Sequence, residues 1–287
     1  MLSPSEVTPE SELEKNEVQV PQEAVWLRLV REAQEGLERD PALASLYSSI
    51  LEAPSLEEAM ARRLAARLAS ADLPAGPLTA LLLAPFRADP SIGAAVCADI
   101  TAVVERDPAS GRLIEPFLFF KGFAAIETHR LAHWFWMNGK RDMALYLQSQ
   151  ASEVFHTDIH PAAQFGKGIF LDHATGFVAG ETVSIEDNVS ILHGVTLGGS
   201  GIGKCRRHPR VRTGVLIGAG AEILGDIEIG AFSKIAAGTL VTQSVPPRCT
   251  AVGVPARIIE GAGSPNPAKT MDQHVAGGTY ESFNYVI

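Results

Sequence analysis

The sequence predicts an α-plus-β-solenoid protein: a helical N-terminal domain followed by a parallel β-helix of hexapeptide repeats. Three observations carry that prediction. From about Pro21 to Phe155 the apolar residues recur at helical spacing. After Phe155 the apolar period becomes six, and that period is interrupted once by a glycine-rich, basic stretch.

The helical half is read from its faces and stops. Trp26, Val30, Ala33 and Leu37 fall at steps of four, three and four, which predicts one buried face. Ser55 with Glu58 forms a capping box that starts a helix over SLEEAMARRLAARLAS. Pro74, Pro77 and Pro85 punctuate the next stretch, and Asp107-Pro108 ends another helix. Lys121–Phe155 reads as a long apolar helical segment broken near Asn138-Gly139. Its load of Phe123, Ile126, Leu131, Trp134, Phe135 and Trp136 exceeds what one face buries, which predicts that part of it is a subunit interface.

The second half repeats. Phe165, Leu171, Phe177, Val183, Val189 and Val195 are six residues apart, and the grid resumes at Val211, Ile217, Ile223, Ile229, Ile235 and Val241. Three hexads make one coil, so residues eighteen apart should stack and bury a continuous apolar column. A β-sandwich would alternate by two with irregular turn spacing, which this grid contradicts. On this count Ile191 lies one coil after His173, with His193 offset by two. Val195 to Val211 spans sixteen residues, not a multiple of six, so GGSGIGKCRRHPR must leave the coil as a loop. It concentrates Lys204, Arg206, Arg207, Arg210 and Arg212 in a chain of net charge −9. Loops raised from a rigid scaffold commonly carry binding groups.

Composition narrows the function classes. At 287 residues and 46% apolar, two modest domains are expected. The acidic balance argues against a nucleic-acid surface. Cys97, Cys205 and Cys249 make no disulfide framework, and a cytoplasmic setting fits them. The polar first twenty residues are not a signal peptide and are expected to be a disordered extension, and no membrane span is expected. The expected division is therefore 1–20 extension, 21–156 helical domain, 157–260 β-helix and 261–287 flexible tail.

The stretches DIHPAAQFGKGIFLDHATGFVAGET (158–182), VSILHGVTLGGSG (189–201), RHP (207–209) and IGAGAEILGDIEIG (217–230) carry a narrower signal. GVPAR (253–257), RDPA (106–109) and MDQH (271–274) add to it. With them, the chain resembles the serine acetyltransferase family from about Asp107 to its last residue. The resemblance implies a left-handed β-helix, trimers with active sites between neighbouring chains, and pairing of trimers into a hexamer. It implies direct transfer of acetyl from acetyl-coenzyme A, a co-substrate and not a bound cofactor, to L-serine in a ternary complex. It also implies inhibition by L-cysteine.

Acyl transfer from thioester to alcohol needs a base for the hydroxyl proton and donors for the oxyanion. An imidazole titrating near neutrality suits the first task, and His173 is the candidate base. By resemblance Asp158 orients it, Asp107 and Asp172 meet the amino group and hydroxyl of serine, and Arg207 and His208 meet the carboxylate. An arginine fork fits carboxylate geometry. Asp107 also reads as a plain helix-end residue before proline. Gly199, Ala219 and Ala237 match thioester and pantetheine contacts; the two alanines, eighteen apart, should stack. Lys234 reads equally as a nucleotide-phosphate partner or a solvated lysine.

Competing readings stand beside these. GGSGIGKC (198–205) approaches a phosphate loop but ends in Cys205 where a hydroxyl is needed. Cys205 as an acyl-carrying nucleophile is disfavoured because the family transfers directly. His129 and His133, four apart in apolar surroundings, read as packing histidines and no metal is expected. His193 leaves a zinc protein like the γ-class carbonic anhydrases as an alternative, and homoserine remains an alternative acceptor. The terminal Ile287 suits insertion into a pocket as an extended peptide, and the resemblance names the partner as O-acetylserine sulfhydrylase.

Overall fold

The computed structural model describes residues 21–201, 205–261 and 263–275. The expectations for 1–20 and for Ile287 lie outside these residues. Helices come first: α1 (Gln22–Arg39), α2 (Ala44–Leu51), α3 (Leu56–Leu68), α4 (Ala75–Ala88), α5 (Pro90–Arg106), α6 (Ile114–Leu118), α7 (Lys121–Met137) and α8 (Arg141–Phe155). Ser55 caps α3 by accepting from the Glu58 N–H at 3.4 Å, and α5 stops at Asp107 before Pro108. The buried stripe of α1 is Val25, Leu29, Ala33 and Gly36, one residue round from the predicted face. Tyr47 of α2 packs against Gly36 and sets that rotation, leaving Trp26, Val30 and Leu37 half-buried.

From Thr157 the chain coils into a parallel β-solenoid with three sheets. One holds β1 (Thr157–Ile159), β4 (Phe177–Ala179), β7 (Thr196–Gly198), β10 (Glu222–Leu224) and β13 (Leu240–Val241). A second holds β2 (Gln164–Phe165), β5 (Ser184–Ile185), β8 (Arg210–Val211) and β11 (Glu228–Ile229). The third holds β3 (Phe170–Leu171), β6 (Ser190–Ile191), β9 (Leu216–Ile217), β12 (Lys234–Ile235), β14 (Cys249–Val252) and β15 (Arg257–Glu260), the last antiparallel. Inside, Leu171, Ile191, Ile217, Ile235 and Ala251 form one buried column, and Ile159, Ala179, Leu197, Ile223 and Val241 another.

The coils are not uniform, and this corrects the six-residue grid. Leu171 pairs with Ile191, 20 residues on, and Ile191 with Ile217, 26 on; Lys234 follows Leu216 by the expected 18. Two residues are added between β3 and β4, and eight between β7 and β8. Val183, Val189 and Val195 are therefore buried at corners, two residues ahead of the inward Ile185, Ile191 and Leu197. His193, not Ile191, lies one coil after His173.

Helix α7 joins the two halves, and most of its apolar load is buried inside the chain. Phe123, Ile126, Leu131 and Phe135 are buried among other helices and the solenoid, so they are not free for a partner. Trp134 and Trp136 stay half-buried, Trp136 against His160 at 5.1 Å. Polar ties cross the junction. Arg130 pairs with the buried Asp99 at 2.8 Å and reaches the Gly166 carbonyl at 2.6 Å, while Asp99 accepts the Ile169 N–H at 2.7 Å. Arg106, at the end of α5, donates to the Gly168 carbonyl at 2.9 Å and Ser190 Oγ at 3.1 Å. After β15 the chain turns back through α9 (Pro267–Thr270), where the Ala268 N–H donates to Gly214 at 3.3 Å.

Gly122 of α7 lies against the Leu171 carbonyl so closely that any Cβ would overlap it. Gly122→Ala is expected to cost about 3 kcal/mol or more, since backbone must move. An unfolding midpoint in denaturant equal to wild type would contradict this contact.

Candidate active site

The two added residues sit at the corner between β3 and β4, and they lift His173 out of the coil. His173 and Ala174 both take positive φ, 57° and 56°. Non-glycine residues in that region are uncommon and gather at functional sites. The imidazole emerges more than half exposed, 3.7 Å from Asp172 and 5.8 Å edge-on from the His193 ring. Burial raises the Asp172 carboxyl above its ordinary value and nearby Asp107 adds to this; His173 and His193 oppose it. Asp107 stands between α5 and Asp172. It ends α5, with its carboxylate accepting the Ala109 N–H at 2.8 Å, and its charge reaches Asp172. Next along the same corner, one coil apart, come Ala219 and Ala237, with Gly238 N–H bonded to the Ala219 carbonyl at 2.8 Å.

A second group lies at the opposite edge of the five-stranded sheet, where β4 turns into β5 and the eight-residue insertion leaves β7. Arg207 pairs with Glu181 at 2.7 Å. His208 is buried beside Thr182, 2.8 Å from its hydroxyl, and Gly199 lies next to the His208 and Arg207 side chains. Burial lowers the His208 pKa, and Arg207 lowers it further. His160 belongs here too; burial lowers its pKa while Glu181 and Asp158 oppose. Gly180 admits the His208 ring, since a Cβ there would overlap the imidazole.

The predicted residues other than Asp158 and Lys234 thus form two clusters. Among the described residues, the carboxylate within 4 Å of His173 is Asp172; Asp158 on β1 instead accepts from Gln148 Nε2 at 2.7 Å. Arg210 and Arg212, counted with the basic loop, belong to the strand side and pair with Asp226, Glu228 and Glu186. Lys234 is 2% exposed, and its ammonium donates to the carbonyls of Asp272, at 3.3 Å, and His274. Burial lowers its pKa. Gly180, Glu181, Thr182 and His160 escaped the sequence reading, although all lie in the quoted stretch 158–182. Among the described residues no three His, Cys, Asp or Glu converge on a common metal position.

The chain has extensive similarity to known proteins. Residues 25–128 match the family described as serine acetyltransferase, N-terminal. A serine acetyltransferase of Salmonella typhimurium is 48% identical over 264 residues, covering 92% of this chain and 96% of that protein. The chain belongs to the serine acetyltransferase family. A serine acetyltransferase structure in complex with cysteine superposes with a TM-score of 0.87 at 46% identity, covering 89% of this chain and all of that one. The Brucella abortus enzyme in complex with coenzyme A gives 0.82 at 52% identity, covering 85% and 98%.

Gly180→Ala is expected to drive the His208 ring off Thr182 and cut turnover about 10²-fold, the effect of an ångström-scale misplacement. A crystal structure of the variant with the His208–Thr182 contact intact would contradict it.

Proposed function

We propose that the protein transfers the acetyl group of acetyl-coenzyme A to the hydroxyl of L-serine, giving O-acetyl-L-serine and coenzyme A. The observation that carries this reading is the bulge that raises His173 beside Asp172 and Asp107 at the head of the Ala219–Ala237 column. His173 takes the hydroxyl proton as the serine oxygen attacks the thioester carbonyl. The tetrahedral intermediate expels the coenzyme A thiolate, which takes up the proton held by His173. Asp107 and Asp172 receive the ammonium group, and Arg207 with His208 receives the carboxylate. Gly199, Ala219 and Ala237 leave room for the thioester and pantetheine chain. Lys234 would serve a phosphate only once the carbonyls of Asp272 and His274 release it.

One chain carries the two clusters at opposite edges of one sheet, so a site that uses both requires a neighbour. The assembly proposed is a trimer, paired into a hexamer through the helical domain, with Asp158 of one chain orienting His173 of the next. L-Cysteine, found with the related structure above, is proposed to occupy the serine position here. The C-terminal tail ending in Ile287 is proposed to bind O-acetylserine sulfhydrylase. No single helix among the described residues is long and apolar enough to cross a membrane; a cytoplasmic setting is proposed from the free Cys97, Cys205 and Cys249.

His173→Ala is expected to lower kcat by ~10²–10⁴, the range for a lost general base. Thiol release from acetyl-coenzyme A, compared with L-serine, homoserine and no acceptor, measures it. Near-normal turnover in the variant, or release faster with homoserine, would overturn the reading. Two inactive variants, His173→Ala and Arg207→Ala, unfolded and reassembled together, should recover roughly a quarter of wild-type activity by random pairing. No recovery from properly assembled mixed oligomers would place the whole site within one chain.

A further inference from the structure

The turn after β4 and the end of the basic loop meet at one side chain that neither the motif reading nor the reaction scheme uses. The Thr182 N–H donates to His208 Nδ1 at 3.3 Å. The Thr182 hydroxyl lies 2.8 Å from the same nitrogen and also accepts the Arg207 backbone N–H at 3.1 Å. A backbone N–H can only donate, so Nδ1 must present its lone pair. With one hydroxyl lone pair occupied by Arg207, the Thr182 O–H hydrogen is free to turn toward Nδ1 as well. The imidazole proton is therefore on Nε2, the atom beside Gly180 and Gly199. A second ring proton would set Nδ1–H against the Thr182 N–H, donor facing donor. The charged groups around the ring are Arg207, Glu181 and His160; Arg207 and His160 oppose a cation there, and Glu181 is held by Arg207.

We propose that Thr182 is a positioning residue for amino-acid binding, holding His208 as a neutral Nε2–H donor and fixing the Arg207 backbone beside it. This rests on the reading of His208 and Arg207 as the carboxylate contacts. A ring locked in that tautomer donates to an oxygen anion and cannot accept from an ammonium group. It therefore gives the acceptor amino acid a direction: carboxylate to this edge, ammonium toward Asp107 and Asp172. Discrimination comes from the donor that is absent as much as from the one present.

Thr182→Val keeps the side-chain shape and removes both hydroxyl bonds, leaving the Arg207 N–H without its acceptor. The expected result is a KM for L-serine raised about 10-fold or more, with KM for acetyl-coenzyme A within about 2-fold of wild type. Thr182→Ser should restore the serine KM. Imidazole ¹⁵N spectra of wild-type enzyme should show His208 as the Nε2–H tautomer at neutral pH. An Nδ1–H tautomer or an imidazolium would overturn the proposal. So would Thr182→Val raising both KM values together, or Thr182→Ser failing to rescue, because a merely structural role predicts those results. His208→Asn separates this proposal from the reading beneath it. If that variant leaves the serine KM unchanged, the carboxylate assignment fails; if it raises KM while Thr182→Val does not, only the role of Thr182 fails.

Discussion

Every functional group in the second half of this protein hangs from one constraint: the inward apolar columns must stay stacked from coil to coil. Leu171, Ile191, Ile217 and Ile235 are fully desolvated, and the parallel ladders hold them in register. A residue added to one coil cannot be absorbed by sliding the next, because a slip would turn apolar side chains to solvent and polar ones inward. Extra residues must therefore leave at the corners. The solenoid spends this property twice, and both departures are where the chemistry gathers.

The first departure is small. Two residues at the β3–β4 corner place His173 and Ala174 in the left-handed region and bring two imidazoles face to edge. The strain of that conformation is held by hydrogen bonds on both sides, from the Gly176 N–H to His156 and from the Gly194 N–H to Thr175. The second departure is larger and carries Arg207 and His208 back onto the β4–β5 turn. The helical half contributes less visibly. Arg106, buried in the solenoid wall, anchors the last turn of α5 and so fixes where Asp107 stands relative to Asp172.

Electrostatics divides the two clusters. Around His173 the charges are carboxylates, partly buried, which suits an ammonium group and an imidazole that must accept a proton. Around His208 stands the Arg207 guanidinium, itself paired with Glu181, with burial and Thr182 keeping the ring neutral. A zwitterionic amino acid placed between them meets complementary charge at each end. Neither cluster alone offers both ends.

The hexapeptide period, the Ser55 cap and the helix stop at Asp107 were determined by the sequence alone, and His173 was singled out there by its residue type. Each is a local signal: a spacing, a capping pair, or a residue type whose chemistry is intrinsic. The tertiary structure alone decided the coil register. Val183, Val189 and Val195 keep a six-residue spacing while lying at corners, because corner and wall positions of this coil both accept apolar residues. Spacing cannot tell them apart; only the ladder partner can. The same holds for the face of α1, rotated by Tyr47, and for the tryptophan-rich α7, whose apolar residues find partners in elements distant in sequence. Thr182 shows the limit most plainly, since a threonine in a turn carries no signal until the fold brings an imidazole to it from 26 residues away.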